Sequence, residues 1–72
     1  MTAIVINQRF SVTVDYEGHS SLPESKKQEF TLLLSGKEVY KSGWHRQSYW
    51  EYIDKEAREW ASEKMAQLSM CL

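Results

Sequence analysis

The first part of the chain alternates between apolar and polar positions. From Ile4 to Tyr16 the even positions are mostly apolar, and from residue 7 onward the odd positions are polar. A period of two predicts a β-strand with one face in the core. We therefore expect a strand over residues 3–16, with a separate strand at Ala3–Ile6 as the open alternative.

Two further runs, residues 27–34 and 37–42, flank Ser35-Gly36 and predict a β-hairpin. Gly36 tolerates the positive φ that a two-residue hairpin turn requires. This turn would set Leu32 opposite Val39 and Thr31 opposite Tyr40. Val39 would then lie on the core face, with Tyr40 on the opposite face.

From residue 49 the apolar period changes from two to that of a helix. The helix is expected over residues 49–69, and Ser48 with Glu51 matches a capping box at its start. One stripe of the helix is expected to face the sheet. Its members are Trp50, Ile53, Ala57, Trp60, Ala61, Lys64, Met65 and Leu68.

These elements predict a single α+β domain over residues 1–72, a three-stranded antiparallel β-meander with one C-terminal α-helix packed on one face (β-β-β-α). The expected sheet side of the core is Phe10, Val12, Val14, Phe30, Leu32, Leu34 and Val39. The expected helix side is Trp50, Ile53, Ala57, Trp60, Ala61 and Leu68.

Composition narrows the classes of function and compartment. The single cysteine, Cys71, suits a reducing compartment, and the apolar run Ala3–Ile6 is too short for a signal peptide or membrane span. We expect a cytoplasmic protein without membrane attachment. His19 and His45 are far apart and no ligand pair has zinc-type spacing, so we expect no metal and no cofactor.

Catalytic constellations are not recognisable in the sequence, and we expect no enzymatic activity. His45 has cations and no carboxylate as near neighbours before Glu51, and Ser48 is explained by its capping role. Cys71 belongs to a terminal segment that is expected to fray, which argues against an activated thiolate.

Aromatic residues cluster where the last strand meets the helix. Aromatic side chains with arginine nearby are typical of the residues that dominate binding energy at protein interfaces. The sequence therefore predicts a protein-interaction module, an inhibitor, adaptor or regulator, with a homodimer as a further option because a small sheet leaves a strand edge open. The predicted partner-binding residues are Tyr40, Trp44, His45, Arg46, Tyr49 and Tyr52.

A nucleic-acid-binding domain is the alternative. A three-stranded sheet backed by one helix resembles the β-sheet DNA readers, such as AP2-type domains and the arm-binding domains of phage-type integrases. The resemblance implies contacts from the open sheet face or a basic rim, but the net charge of −1 lacks the basic excess of such readers. The residues of this alternative are Arg9, Thr13, Leu33, Lys37 and Lys41.

Size, element order and the stretch SGKEVYKSGWHRQSYWEY, residues 35–52, give a second resemblance. The chain resembles the small accessory proteins that phages and prophages encode. That resemblance implies binding to host or invader machinery, including proteins of DNA metabolism.

Overall fold

A computed structural model describes residues 2–18, 21–22 and 25–71 of the chain. The elements in chain order are strands β1 (Thr2–Val5), β2 (Phe10–Glu17), β3 (Lys27–Leu34), β4 (Lys37–Lys41) and β5 (His45–Arg46), then helix α1 (Trp50–Cys71). The predicted α+β fold, an antiparallel meander followed by one C-terminal helix, is confirmed, but the meander has four strands instead of the three expected. The meander has the order β1-β2-β3-β4, and the short β5 also pairs with β3.

The strand expected over residues 3–16 is divided in two by a turn at Asn7. The side-chain Oδ1 of Asn7 accepts hydrogen bonds from the amides of Arg9, at 2.8 Å, and Phe10, at 2.9 Å. Asparagine commonly bonds the backbone two or three residues ahead in this way and so competes with strand geometry. β1 folds back on β2 as a result, and Ile4 comes to lie opposite Val12.

The β3–β4 hairpin has the predicted turn but a different register beyond it. Ser35, at φ 52°, and Gly36, at φ 83°, both have positive φ, as a type I′ turn requires. A β-bulge then shifts the pairing, so that Leu32 lies opposite Tyr40 instead of Val39. The predicted faces of these two residues were therefore wrong. Tyr40 packs against the core and Val39 is exposed.

The strand β3 is the centre of the sheet. Along one side it pairs with β2 over its whole length. Along the other side β4 pairs with the second half of β3, and β5 pairs with Lys27 and Gln28. Between β4 and β5, Ser42 bonds the backbone of Phe30. The Ser42 amide donates to the Phe30 carbonyl, and Ser42 Oγ accepts from the Phe30 amide, both at 2.9 Å.

The core lies between α1 and the face of the sheet that the even-numbered residues of β2 and β3 form. Alanines at the centre of the helix stripe have no exposed surface, so the helix backbone approaches the sheet closely. The fully or nearly fully buried hydrophobic residues are Ile4, Val12, Val14, Phe30, Leu32, Ile53, Ala57 and Ala61. Phe10, Trp60, Met65 and Leu68 pack against them while remaining half-buried, and Leu34 is also half-buried.

The start of the helix differs from the prediction. α1 begins at Trp50 rather than residue 49, and Ser48 bonds to groups outside the first turn instead of forming a capping box with Glu51. Trp50 was expected in the core but is 84% exposed. Helical side chains tilt toward the helix N-terminus, so a side chain at the first helical position projects past the end of the helix.

Within the described residues, no helix is both long enough and apolar enough to cross a lipid bilayer. The described residues also contain no group of three or more His, Cys, Asp or Glu side chains that could hold a metal ion. His19, one of the two histidines of the sequence, lies outside the described residues.

The close approach of helix and sheet predicts a sharp difference between two helical alanines. Ala61 is fully buried and Ala66 is exposed on the same helix. Replacing Ala61 by leucine should lower the free energy of unfolding by about 1–3 kcal/mol, because the added atoms push helix and sheet apart. Ala66→Leu should change it by less than about 0.5 kcal/mol. Urea denaturation of both variants measures the effect, and equal stabilities would contradict the packing described.

Candidate functional site

A buried glutamine anchors the segment that carries most of the candidate residues. Gln28 is fully buried, on the core-facing side of β3 next to Phe30. Its Oε1 accepts from the Ser48 amide at 3.2 Å, and its Nε2 donates to Ser48 Oγ at 3.3 Å. The same Nε2 lies 3.1 Å from His45 Nε2. A buried amide without partners would cost about 1–3 kcal/mol, so these bonds decide whether the site can form.

His45 completes this network from the sheet side. Its Nδ1 lies 3.1 Å from the Gly43 carbonyl oxygen, which can only accept, so Nδ1 carries the proton and Nε2 accepts from Gln28. The imidazole also meets the Phe30 ring edge-on, with centroids 5.1 Å apart. Gly43, at φ 79°, makes the sharp return that this geometry requires.

Ser48 joins the network to the helix. Its hydroxyl accepts from Gln28 and donates to the Glu56 carboxylate in the second turn of α1. The carbonyl of Tyr49 accepts from the Tyr52 amide at 2.8 Å, which closes the first turn. Sheet, connecting segment and helix are thus held together by one continuous chain of hydrogen bonds around Gln28.

Large aromatic side chains stand exposed immediately after this anchor. Tyr49 is 78% exposed, Trp50 84% and Tyr52 52%. The rings of Tyr49 and Tyr52 contact each other edge-on, with centroids 6.4 Å apart. We call Tyr49, Trp50 and Tyr52 the aromatic surface. Three such side chains within four positions exceed the scattered exposure that is normal for soluble proteins.

An open cleft of about 700 Å³ is lined in part by the three residues of the aromatic surface. Its volume is within the range of about 300–1,000 Å³ that is usual for ligand sites. The described residues that line it are Lys26, Arg46, Gln47, Ser48, Tyr49, Trp50, Tyr52 and Glu56. Rings, two cations and several hydrogen-bonding groups therefore face one space.

The predicted partner-binding residues fall into two groups. The first group is exposed. The cleft is lined by Arg46, Tyr49 and Tyr52, and Trp44 is 44% exposed in the turn that leads into β5. Tyr40 is half-buried against the core, with Lys64 Nζ 5.8 Å from its ring centroid.

His45, which was also in the predicted set, is half-buried in the Gln28 network. The structure thus gives Tyr40 and His45 roles in packing and hydrogen bonding. It leaves the binding role of the exposed residues as a prediction.

The alternative residues, chosen for nucleic-acid binding, do not form one basic surface. Thr13 and Leu33 lie on the sheet face away from the helix, whereas Arg9 lies in the β1–β2 turn and Lys37 lies opposite Leu34. Lys41 shares the open face with carboxylates, and its Nζ lies 4.0 Å from Glu29 and 3.8 Å from Glu38. Asp15, directly opposite Glu29, adds another negative charge there.

Sequence reasoning missed the two residues on which this site most depends. Gln28 occupies a core-facing position of β3, in step with Phe30 and Leu32, so the period-two pattern already marked it as a buried polar residue. Trp50 matched the helical stripe, and only its position at the very start of the helix signalled exposure.

Comparisons of the chain with protein-family models, with curated proteins and with solved structures find no match.

The Gln28 network yields a stability prediction. Gln28→Ala should lower the free energy of unfolding by about 2–3 kcal/mol, because the Ser48 amide loses its acceptor inside the protein and packing is lost. Gln67→Ala, which truncates an exposed glutamine on α1, should change it by less than about 0.5 kcal/mol. Chemical denaturation followed by circular dichroism measures both variants. A Gln28 variant as stable as the Gln67 variant would contradict the claim that the hydrogen bonds of Gln28 hold this segment in place.

Proposed function

We propose that the chain acts by non-catalytic binding of a partner protein through the aromatic surface and the adjoining cleft. The observation that carries this proposal is the exposure of Tyr49, Trp50 and Tyr52 directly after Ser48, which is hydrogen-bonded to the buried Gln28. Tryptophan and tyrosine supply large contact areas with few rotatable bonds, which is why they dominate binding energy at interfaces. The hydrogen bonds at Ser48 fix the backbone from which the rings project, which lowers the entropy cost of ordering this segment when a partner binds.

The chemistry of the cleft supports binding without catalysis. Ser48 uses its hydroxyl to bond Gln28 and Glu56, and His45 contacts Gln28 and Gly43 rather than Ser48. The amide of Gln28 lies between histidine and serine, and a neutral amide is a poor relay for a proton. These groups therefore serve the anchor, and the exposed rings are left for recognition.

The partner that we propose belongs to host machinery, including DNA metabolism, as the sequence resemblance to phage accessory proteins implies. We place the interaction in the cytoplasm, where a chain with a single cysteine keeps its thiol reduced. An inhibitor, adaptor or regulator of this kind needs one exposed recognition surface and no cofactor.

Removing the rings of the aromatic surface tests the proposal. The variant with Tyr49→Ala, Trp50→Ala and Tyr52→Ala should remain folded, because exposed side chains contribute little to stability. Partner binding should weaken by about 2 kcal/mol or more for each dominant ring. Leu22→Ala, which truncates an exposed apolar side chain outside the surface, is the matched control.

The measurement compares proteins captured from a host lysate by the wild type, the control and the triple variant. The proposal expects a set that the wild type and the control retain and the triple variant loses, followed by direct binding of the purified partner. An identical set on all three chains would contradict it. So would tight, strongly salt-dependent binding to random duplex DNA with no captured protein, which is the outcome of the nucleic-acid alternative.

A further inference from the structure

We propose that the cleft binds an acidic, extended segment of the partner protein, whose carboxylates pair with Lys26 and Arg46. This inference rests on the proposed function and adds the chemistry of the bound segment. Its basis is the charge that the fold collects at the cleft, which is independent of the exposure of the rings.

The cleft holds two cations that form no ion pair within the described residues. Lys26 and Arg46 line the cleft, and no carboxylate among the described residues forms an ion pair with either of them. Elsewhere Lys41 lies near Glu29, and Arg58 Nε donates to Asp54 at 2.8 Å. Other lysines of the described chain are also unpaired, so what distinguishes Lys26 and Arg46 is their position: they line one cleft together with the exposed rings, where an external anion can reach both.

The pairing of β3 with β5 concentrates this positive charge further. Lys27 and Arg46 lie directly opposite each other across the two strands, and Lys26 precedes Lys27 in the chain. Like charges in directly opposed positions destabilise a sheet. Glu17, opposite Lys27 on β2, offsets part of that cost, and an anion bound at Arg46 would offset more of it. Arginine can grip a carboxylate with two parallel hydrogen bonds, which gives geometric selectivity as well as attraction.

The acidic residue of the cleft limits how much negative charge the ligand can carry. Glu56 lines the cleft and holds the Ser48 hydroxyl, so two cations and one carboxylate leave a lining charge of +1. Glu51 is exposed in the first turn of α1, next to the rings. A nucleic acid, with one phosphate for every nucleotide, would be repelled more strongly by these carboxylates than a short segment with one or two acidic side chains.

The aromatic surface suits the rest of an extended peptide. Tyrosine and tryptophan rings that line a groove accept prolyl and other flat or apolar side chains, as in the domains that recognise extended proline-rich segments. Gln47 and Ser48 add hydrogen-bonding groups along the same cleft. Cations and rings together therefore favour a peptide in which acidic and apolar positions are interspersed.

Selection from a library of random dodecapeptides displayed on ribosomes tests the inference and does not require the partner to be identified. Four chains are compared: the wild type, the Lys26→Gln/Arg46→Gln variant, the Lys37→Gln/Lys55→Gln variant and the triple variant without rings. The second double variant removes the same charge from exposed positions outside the cleft. Selected peptides are resynthesised with and without their acids replaced by amides, and their affinities are measured by calorimetry.

We expect the wild type and the Lys37/Lys55 variant to select peptides rich in Asp and Glu. The Lys26/Arg46 variant should bind those peptides at least about tenfold more weakly, and replacing the peptide's acids should cost as much. Ring-dependent binding of peptides without acidic enrichment would overturn this inference and leave the proposed function standing. Equal losses in both double variants, or no selected peptides while partner capture still depends on the rings, would likewise overturn the inference alone. Tighter binding of an oligothymidylate than of any selected peptide would overturn both.

Discussion

The burial of one amide side chain governs the arrangement of this small protein. Gln28 lies in the central strand with no exposed surface, and each of its polar atoms is bonded to the segment that leads into the helix. A buried amide is tolerated only where its partners are fixed, since low polarity strengthens both its bonds and the cost of losing them. The position of the helix on the sheet is therefore tied to His45 and Ser48 as well as to the apolar core.

This constraint explains why the chain displays rings instead of burying them. With Ser48 held against Gln28 and Glu56, the helix cannot slide along the sheet to cover Trp50. The small alanines at positions 57 and 61 keep the helix close to the sheet, and Ile53 is the first helical residue in the core. The rings before Ile53 are left outside, next to cations that the pairing of β5 with β3 brings to the same cleft.

Sequence periodicity predicts the fold but only part of the site. The alternation in β2, the Ser35-Gly36 turn and the helical stripe are local signals, and the structure has all three, although the stripe enters the core at Ile53 and not at Trp50. The Asn7 turn depends on a side chain bonding the backbone, and the β4 bulge is visible only through the pairing register. The alternation indicates that Gln28 is buried, but it binds residues that are 17 and 20 positions away, so its partners are visible only in the folded chain.

The hydrogen bond from the Ser48 amide to Gln28 Oε1, 3.2 Å long, is the most direct test of this arrangement, because Ser48 itself lies outside any helix or strand. Residue-resolved hydrogen exchange by NMR measures how strongly that amide is protected. The account predicts exchange of Ser48 nearly as slow as that of Phe30 in the central strand, and a large acceleration in Gln28→Ala beyond that of Phe30. Rapid exchange of Ser48 in the wild type, at the rate of an exposed turn amide such as that of Gly36, would contradict it.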